Sequence, residues 1–268
     1  MQEPLTPGSF PAAPGAPPNA ADHHPRPLVL VPALSEPDRL SHVVDSVLGA
    51  LDADVLVLDA GGNNFSIPPH TDRVTVLEVP QGVGSAVRRG LEHAVRHGYE
   101  VVARVDGDGQ HDPALLKDLL SRQQSGSDLV LASRYHPRSA VVAEPPTDRV
   151  ALNVMFRSLV QQVCGLRLTD VVTGCWVMSR ETAAFLAERI RTREYGSTLE
   201  MLMLLGLAGR FSVSEVPHPA IYAGLGVEER YTADRRASRC ARAGTYLQVV
   251  SDVMDRCDAN AWPRLIQR

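Results

Sequence analysis

Residues 101–113, VVARVDGDGQHDP, constrain this chain more than any other stretch. Val101, Val102, Ala103 and Val105 form a short apolar run, the pattern of a strand covered on both faces in a parallel sheet. The run breaks into Asp106-Gly107-Asp108-Gly109, where two glycines permit turns that other residues adopt only at a cost. Asp112 and Pro113 follow as an N-cap and a first-turn residue for a helix. Two carboxylates two residues apart therefore stand where a strand ends, and in an open α/β sheet ligands bind at that carboxyl edge. Such a pair suits a divalent cation carrying diphosphate oxygens, because Mg²⁺ takes one or two carboxylates plus phosphate and water. A plain polar turn can share the string; the strand before it and the cap after it favour a site.

The same alternation of apolar run and amphipathic stretch continues on both sides. Leu28–Val31 is a first strand, followed by a helix start at Ser35-Glu36-Pro37-Asp38, with Leu40, Val43, Val44, Val47, Leu48 and Leu51 on one helical face. Val55–Leu58 and Val74–Val79 are further strands. After the second of them, Gly82 to Gly90 opens a helix whose apolar positions Val87, Leu91, Ala94 and Val95 keep a 3.6 period. A helix over Leu115–Leu120, a strand over Asp128–Ala132, helices from Ser179 and Ser197, and a strand over Phe211–Val216 complete the pattern. A last amphipathic helix falls near Ala237–Cys257. The order predicts one α/β domain: an open, mixed but mostly parallel sheet flanked by helices.

Composition narrows the classes. The 268 residues suffice for one such domain, and 22% charged with 44% hydrophobic residues is ordinary for a globular protein. A net charge of −4 argues against nucleic acid as a partner. Lys117 is the only lysine, which suggests a GC-rich bacterial genome. Cys164, Cys175, Cys240 and Cys257 lack CxxC spacing, which points to reduced thiols in a cytoplasmic protein and away from zinc. No apolar run reaches the roughly 18 residues of a membrane span, and no signal peptide is recognisable. Residues 1–26 are Pro/Ala/Gly-rich and read as a disordered tail that includes His23 and His24.

Asp106 to Pro113 resembles the DxD segment of glycosyltransferase family 2, particularly its dolichyl-phosphate-mannose-synthase-like branch. The resemblance implies a GT-A (Rossmann-like) fold, a nucleoside diphosphate sugar donor, and Mg²⁺ or Mn²⁺ on the donor diphosphate. Val31 to Glu36 stands where the family has IPAYNE, with Leu34 and Ser35 replacing Tyr and Asn. At the second strand Asp59 matches the first acid of V-D-D-G-S-T-D, while Ala60 replaces the second, which bears on base selection. Gly82, Gly84, Ala86 and Gly90 match GxGxAxxxG. Ser133-Arg134-Tyr135 is similar to GSRY, Arg149 and Asn153 to a common Arg/Asn pair, Asp170 and Gly174 to D-x-x-x-G, and Glu215-Val216-Pro217 to EVP.

By resemblance, donor contacts fall on Pro32, Ala33, Leu34, Glu36, Asp59, Gly61, Gly84, Arg88, Asp106, Gly107 and Asp108. The cation falls on Asp108 and Asp106, with His218 as another candidate ligand. Arg88 or Arg89 reaches the diphosphate or is a surface charge; Arg134 touches a phosphate or acceptor, or forms a sheet-edge salt bridge. Trp176 is core or an acceptor platform. Glu200 has two readings, a capping box with Ser197 or the base of an inverting transfer, with Asp170 in reserve. Residues 222–236 fit a loop over the donor, where Arg230, Arg235 and Arg236 could meet the diphosphate.

These readings divide the chain into a tail (1–26), a GT-A domain (27–230) and a C-terminal helical extension (231–268). They predict a metal-dependent, inverting glycosyltransferase. Its expected acceptor is a small soluble hydroxyl compound, such as a natural-product aglycone or a cyclitol of antibiotic biosynthesis in an actinomycete-like bacterium. The alternative is a polyprenyl phosphate at the membrane surface. A homodimer is compatible with either. A sugar nucleotidyltransferase and a catalytically silent nucleotide-binding protein are the rival classes.

Overall fold

The structure is a computed structural model that describes residues 24, 26–33, 37–61, 72–107, 111–142, 145–219 and 235–257. Seven strands form one sheet: β1 (Leu28–Ala33), β2 (Asp54–Asp59), β3 (Val74–Glu78), β4 (Val101–Arg104), β5 (Leu129–Ser133), β6 (Trp176–Ser179) and β7 (Val213–Pro217). Their order is β3-β2-β1-β4-β6-β5-β7, and only β6 runs antiparallel to its neighbours, β4 and β5.

Strand residues alternate between two buried faces, which is why the strands read as unbroken apolar runs. Val29, Val31, Val55 and Val57 pack against α1 (Pro37–Ala50) and α3 (Leu116–Gln124). Leu28, Leu30, Leu56 and Leu58 face the other way. That second core is covered by α2 (Val83–Arg96), α4 (Thr147–Cys164), α5 (Arg180–Ala187), α6 (Ser197–Ala208) and α7 (Arg235–Arg256). The architecture is the expected one: helices on both faces of a mostly parallel sheet, in a single domain.

Local signals resolve as their chemistry dictates. Asp112 caps a 3₁₀ turn over Pro113–Leu115 by accepting a hydrogen bond from the Ala114 N–H at 2.9 Å. Gly90 lets α2 lie against the sheet, since a Cβ there would meet Leu30 Cδ1 at 2.7 Å. Two boundaries look different in three dimensions. His24, assigned to the tail, pairs with Tyr99 through a single bridge, its ring 4.2 Å from the tyrosine ring and its Nδ1 3.3 Å from Asp54. Helix α7, assigned to an extension, buries Tyr246, Val249, Val253 and Met254 in the same core as α6. Its Tyr246 also meets Phe156 of α4 edge-on at 5.2 Å.

Candidate active site

Strand directions bring the motif residues to one edge of the sheet. Parallel strands β1, β2, β4, β5 and β7 end there and place Ala33, Asp59, Asp106, Arg134 and His218 at or just past their last residues, while β6 starts there after Thr173, Gly174 and Cys175.

Asp106 stands two residues past the end of β4. Arg104, 5% exposed, donates to its Oδ1 from Nε at 3.1 Å and from Nη2 at 2.6 Å, fixing the rotamer while the carboxylate stays 29% exposed. Gly174 makes room for that carboxylate: a Cβ there would sit 1.9 Å from Asp106 Oδ2. Gly107 stacks its backbone on the end of β1, its N–H 3.4 Å from Pro32 O. Past β7, the His111 ring meets His218 edge-on at 5.2 Å.

Both imidazoles are buried, and both pKa values are driven down. Burial is the main cause; for His111 the ring of His218 and the cations Arg134 and Arg104 add to it. For His218 the bond to Pro219 O, Asp112 and Asp170 pull the other way, and Arg134 adds to the lowering. His218 Nδ1 lies 2.7 Å from Pro219 O, so this nitrogen carries the proton and Nε2 keeps its lone pair. That Nε2 is buried without a partner, as is His111 Nδ1. A buried lone pair with nothing to bind fits a cation site, since a metal-ligating histidine anchors its other nitrogen on a carbonyl in this way. Among the described residues no three His, Cys, Asp or Glu side chains form a ready cation cage. Asp108 lies outside the described residues, and so do Leu34, Glu36 and Arg230.

The neighbouring loop, 168–174, is held from three sides. Asp170, fully buried, accepts from Arg134 Nε at 2.7 Å, Nη2 at 3.1 Å and backbone N–H at 3.1 Å. Glu215 accepts from the Thr169 and Asp170 N–H groups, at 2.8 Å for the latter, and from the Thr169 hydroxyl. Asn153 donates to Thr169 O at 2.7 Å and accepts from the Val171 N–H at 3.0 Å. Thus Arg134 forms the salt bridge, and Asp170 is its structural partner rather than a reserve base. Trp176 is fully buried core.

Glu200 departs from both of its readings. Gly196 is the N-cap of α6, so there is no capping box with Ser197. The fully buried carboxylate accepts from the Arg191 N–H at 2.9 Å, the Thr192 N–H at 2.8 Å and Arg256 Nη2 at 2.5 Å. These bonds shape loop 191–194, whose Glu194 and Arg193 carbonyls accept from the Gly84 and Ser85 N–H groups. Glu200 therefore organises a loop and the last turn of α7. The same region shows the surroundings of two residues expected at the donor. Gly84 lies under the loop, where a Cβ would meet Thr192 O at 2.3 Å. Arg88 points along α2 to Glu92, 3.8 Å away, with Arg89 on the same acid at 2.8 Å.

Asp59 remains at the edge, its Oδ1 accepting from the Gly61 N–H at 2.8 Å, and Gly61 has φ 102°. Pro32 and Ala33 close β1 beside it. Side chains of Arg235 and Arg236 lie outside the described residues.

The model of glycosyl transferase family 2 matches residues 28–185, more than half of the chain. The chain belongs to that family. This family 2 glycosyltransferase is 28% identical over 215 residues to the polyprenol monophosphomannose synthase of Mycolicibacterium smegmatis, covering 76% of this chain and 80% of that protein. It is 28% identical over 211 residues to the undecaprenyl-phosphate mannosyltransferase of Micrococcus luteus, covering 75% and 86%. Among solved structures, the glucosyl-3-phosphoglycerate synthase of Mycobacterium tuberculosis in complex with Mn²⁺, uridine diphosphate and phosphoglyceric acid superposes with a TM-score of 0.55. The identity there is 19%, covering 87% of this chain and 80% of that one. That likeness bears on the fold, which is GT-A.

Sequence reasoning missed His111 and Arg104 as parts of the site. Arg104 carried a signal, because an arginine inside VVARV must find a buried partner. His111 carried none beyond its place in the motif; its neighbour His218 is 107 positions away in the chain.

Proposed function

We propose that this glycosyltransferase moves a mannosyl group from a nucleoside diphosphate sugar to a polyprenyl phosphate, in the cytoplasm at the membrane surface. A Mg²⁺ or Mn²⁺ ion on the donor diphosphate would be held by Asp106, Asp108 and His218. The reading is supported most by the state of the two acids expected to act as base. Glu200 and Asp170 are buried and committed to backbone N–H groups and arginines. A hydroxyl acceptor needs a base, whereas a phosphate monoester is already anionic at pH 7, with its second pKa near about 6. The names of both mannosyltransferase relatives point the same way, and away from the small soluble acceptor that the sequence favoured.

Each residue then has a defined task. Arg104 locks Asp106 toward the edge, and Pro219 O sets the tautomer of His218. The ion would neutralise charge that accumulates on the departing diphosphate. Asp170, Glu215 and Asn153 keep loop 168–174 rigid beside Asp106. The acceptor oxygen forms its bond to the anomeric carbon as the bond to the diphosphate breaks on the opposite face, inverting that centre.

Radiolabelled transfer to a short-chain polyprenyl phosphate, from a panel of nucleoside diphosphate sugars with Mn²⁺, tests this. Label in the lipid phosphate, lost with EDTA and in Asp108→Ala, is the expected result. Label only in soluble hydroxyl acceptors would overturn it.

A further inference from the structure

Among the described residues six large apolar side chains are exposed, and four of them (Val141, Val142, Val154 and Met155) fall between positions 141 and 155. Isolated exposed apolar residues need no explanation, but a concentration of them marks an interaction surface. Val141 and Val142 are 77% and 59% exposed, adjacent, and on the connection that leaves the site edge at Arg134 and leads into α4. On α4 the exposed face reads Thr147, Ala151, Val154, Met155, Ser158, Gln161 and Gln162, without a charge over more than four turns. Solvated helix faces elsewhere carry charge, as α3 does with Lys117, Asp118 and Arg122.

The charge along this segment is positive. Leaving out Arg134, which is spent on Asp170, residues 138–157 hold Arg138, Arg149 and Arg157 against Glu144 and Asp148, in a chain whose net charge is −4. Arg138 is exposed beside the valines. Apolar side chains flanked by arginines match the interface of an anionic bilayer, where methyl groups enter the acyl boundary and guanidinium groups stay with the headgroups.

We propose that the 138–142 loop and the exposed face of α4 dock this protein on an anionic membrane surface, setting the sheet edge against the lipid that carries the acceptor phosphate. The inference rests on the polyprenyl-phosphate reading above. It adds the surface that would present such a substrate to a chain whose described helices include none long and apolar enough to cross a membrane.

Vesicle co-sedimentation of the full chain, with neither donor nor acceptor present, tests the surface separately from the chemistry. Binding is expected to vesicles of phosphatidylcholine with phosphatidylglycerol and to be weak on phosphatidylcholine alone. The double variant Val141→Asp/Val142→Asp should lose about tenfold or more in partitioning, and Arg138→Glu several-fold, with melting temperatures unchanged because these side chains are exposed. Absence of vesicle binding in a preparation that still labels short-chain polyprenyl phosphate would overturn the docking surface and leave the acceptor reading intact. A concentration-dependent dimer broken by Met155→Asp, without vesicle binding, would overturn it in favour of a second copy of the chain. If the vesicle result is positive but only soluble acceptors are labelled, the acceptor reading fails alone.

Discussion

Two neighbouring parts of the same sheet edge treat their polar groups in opposite ways. In the 168–174 loop every functional-looking group is spent: Asp170 on Arg134, Glu215 on two backbone N–H groups and a hydroxyl, Asn153 on both sides of Val171 and Thr169. Around His111 and His218 two buried ring nitrogens have no partner, and Asp106 keeps part of its carboxylate in solvent. Burying a polar atom unpaired costs free energy, so the unsatisfied corner is the better candidate for a binding site than the fully satisfied loop. The contrast separates scaffold from site better than residue type does, because both regions pair a buried arginine with an aspartate.

The comparison can be broken most sharply at Asp170. Asp170→Ala would strand the buried Arg134 charge, and a loss of about 3–5 kcal/mol in urea unfolding is expected. A change below about 1 kcal/mol would mean that the loop is not the scaffold described. His218→Ala should do the reverse. Its stability should fall less than that of Asp170→Ala, while affinity for Mn²⁺ in the presence of a nucleoside diphosphate falls on the order of 100-fold by isothermal titration. Unchanged Mn²⁺ affinity would remove His218 from the site.

Arg256→Ala tests whether Glu200 is scaffold. Loss of one charged hydrogen bond to a buried carboxylate predicts about 1.5–3 kcal/mol of destabilisation, with transfer falling only as far as the protein unfolds. If Glu200→Gln instead abolishes transfer in a fully folded protein, the acid is a base after all.

Titration gives a gentler separation. His111 and His218 have folded pKa values below the ordinary 6.5, so the unfolded chain takes up their protons first as pH falls. Stability is therefore full above about pH 6.5 and declines below it, and His93, held at about 4, adds to the decline down to that pH. A melting curve series from pH 7.5 to about 4.5 should show this fall, with a shallower slope in His111→Gln. The smallest effect belongs to Arg88→Ala: within about 0.5 kcal/mol in stability and no change in donor affinity, since its partner is Glu92 on the helix surface.

Much of the fold was legible in order along the chain. Apolar runs with period-2 burial on two faces, helical spacing at Leu40–Leu51 and Val87–Val95, and the caps at Asp112 and Ser179 all arise within a few residues of one another. Asp106 at a strand end was legible for the same reason. Glu200 was not, because its partners Arg191, Thr192 and Arg256 come from a preceding loop and a helix 56 positions later. The surroundings of Gly84 were not legible on the same ground: a GxG string states that something lies close, without stating whether it is a ligand or the 191–194 backbone.

What the sequence determined alone was the set of elements and the family, because hydrophobic period and motif spacing are local quantities. Which acids remain available for chemistry was decided by tertiary structure, because whether a carboxylate is spent or free depends on donors supplied by distant segments. The pairing of His111 with His218, made only when β7 closes the sheet beside β5, has the same origin.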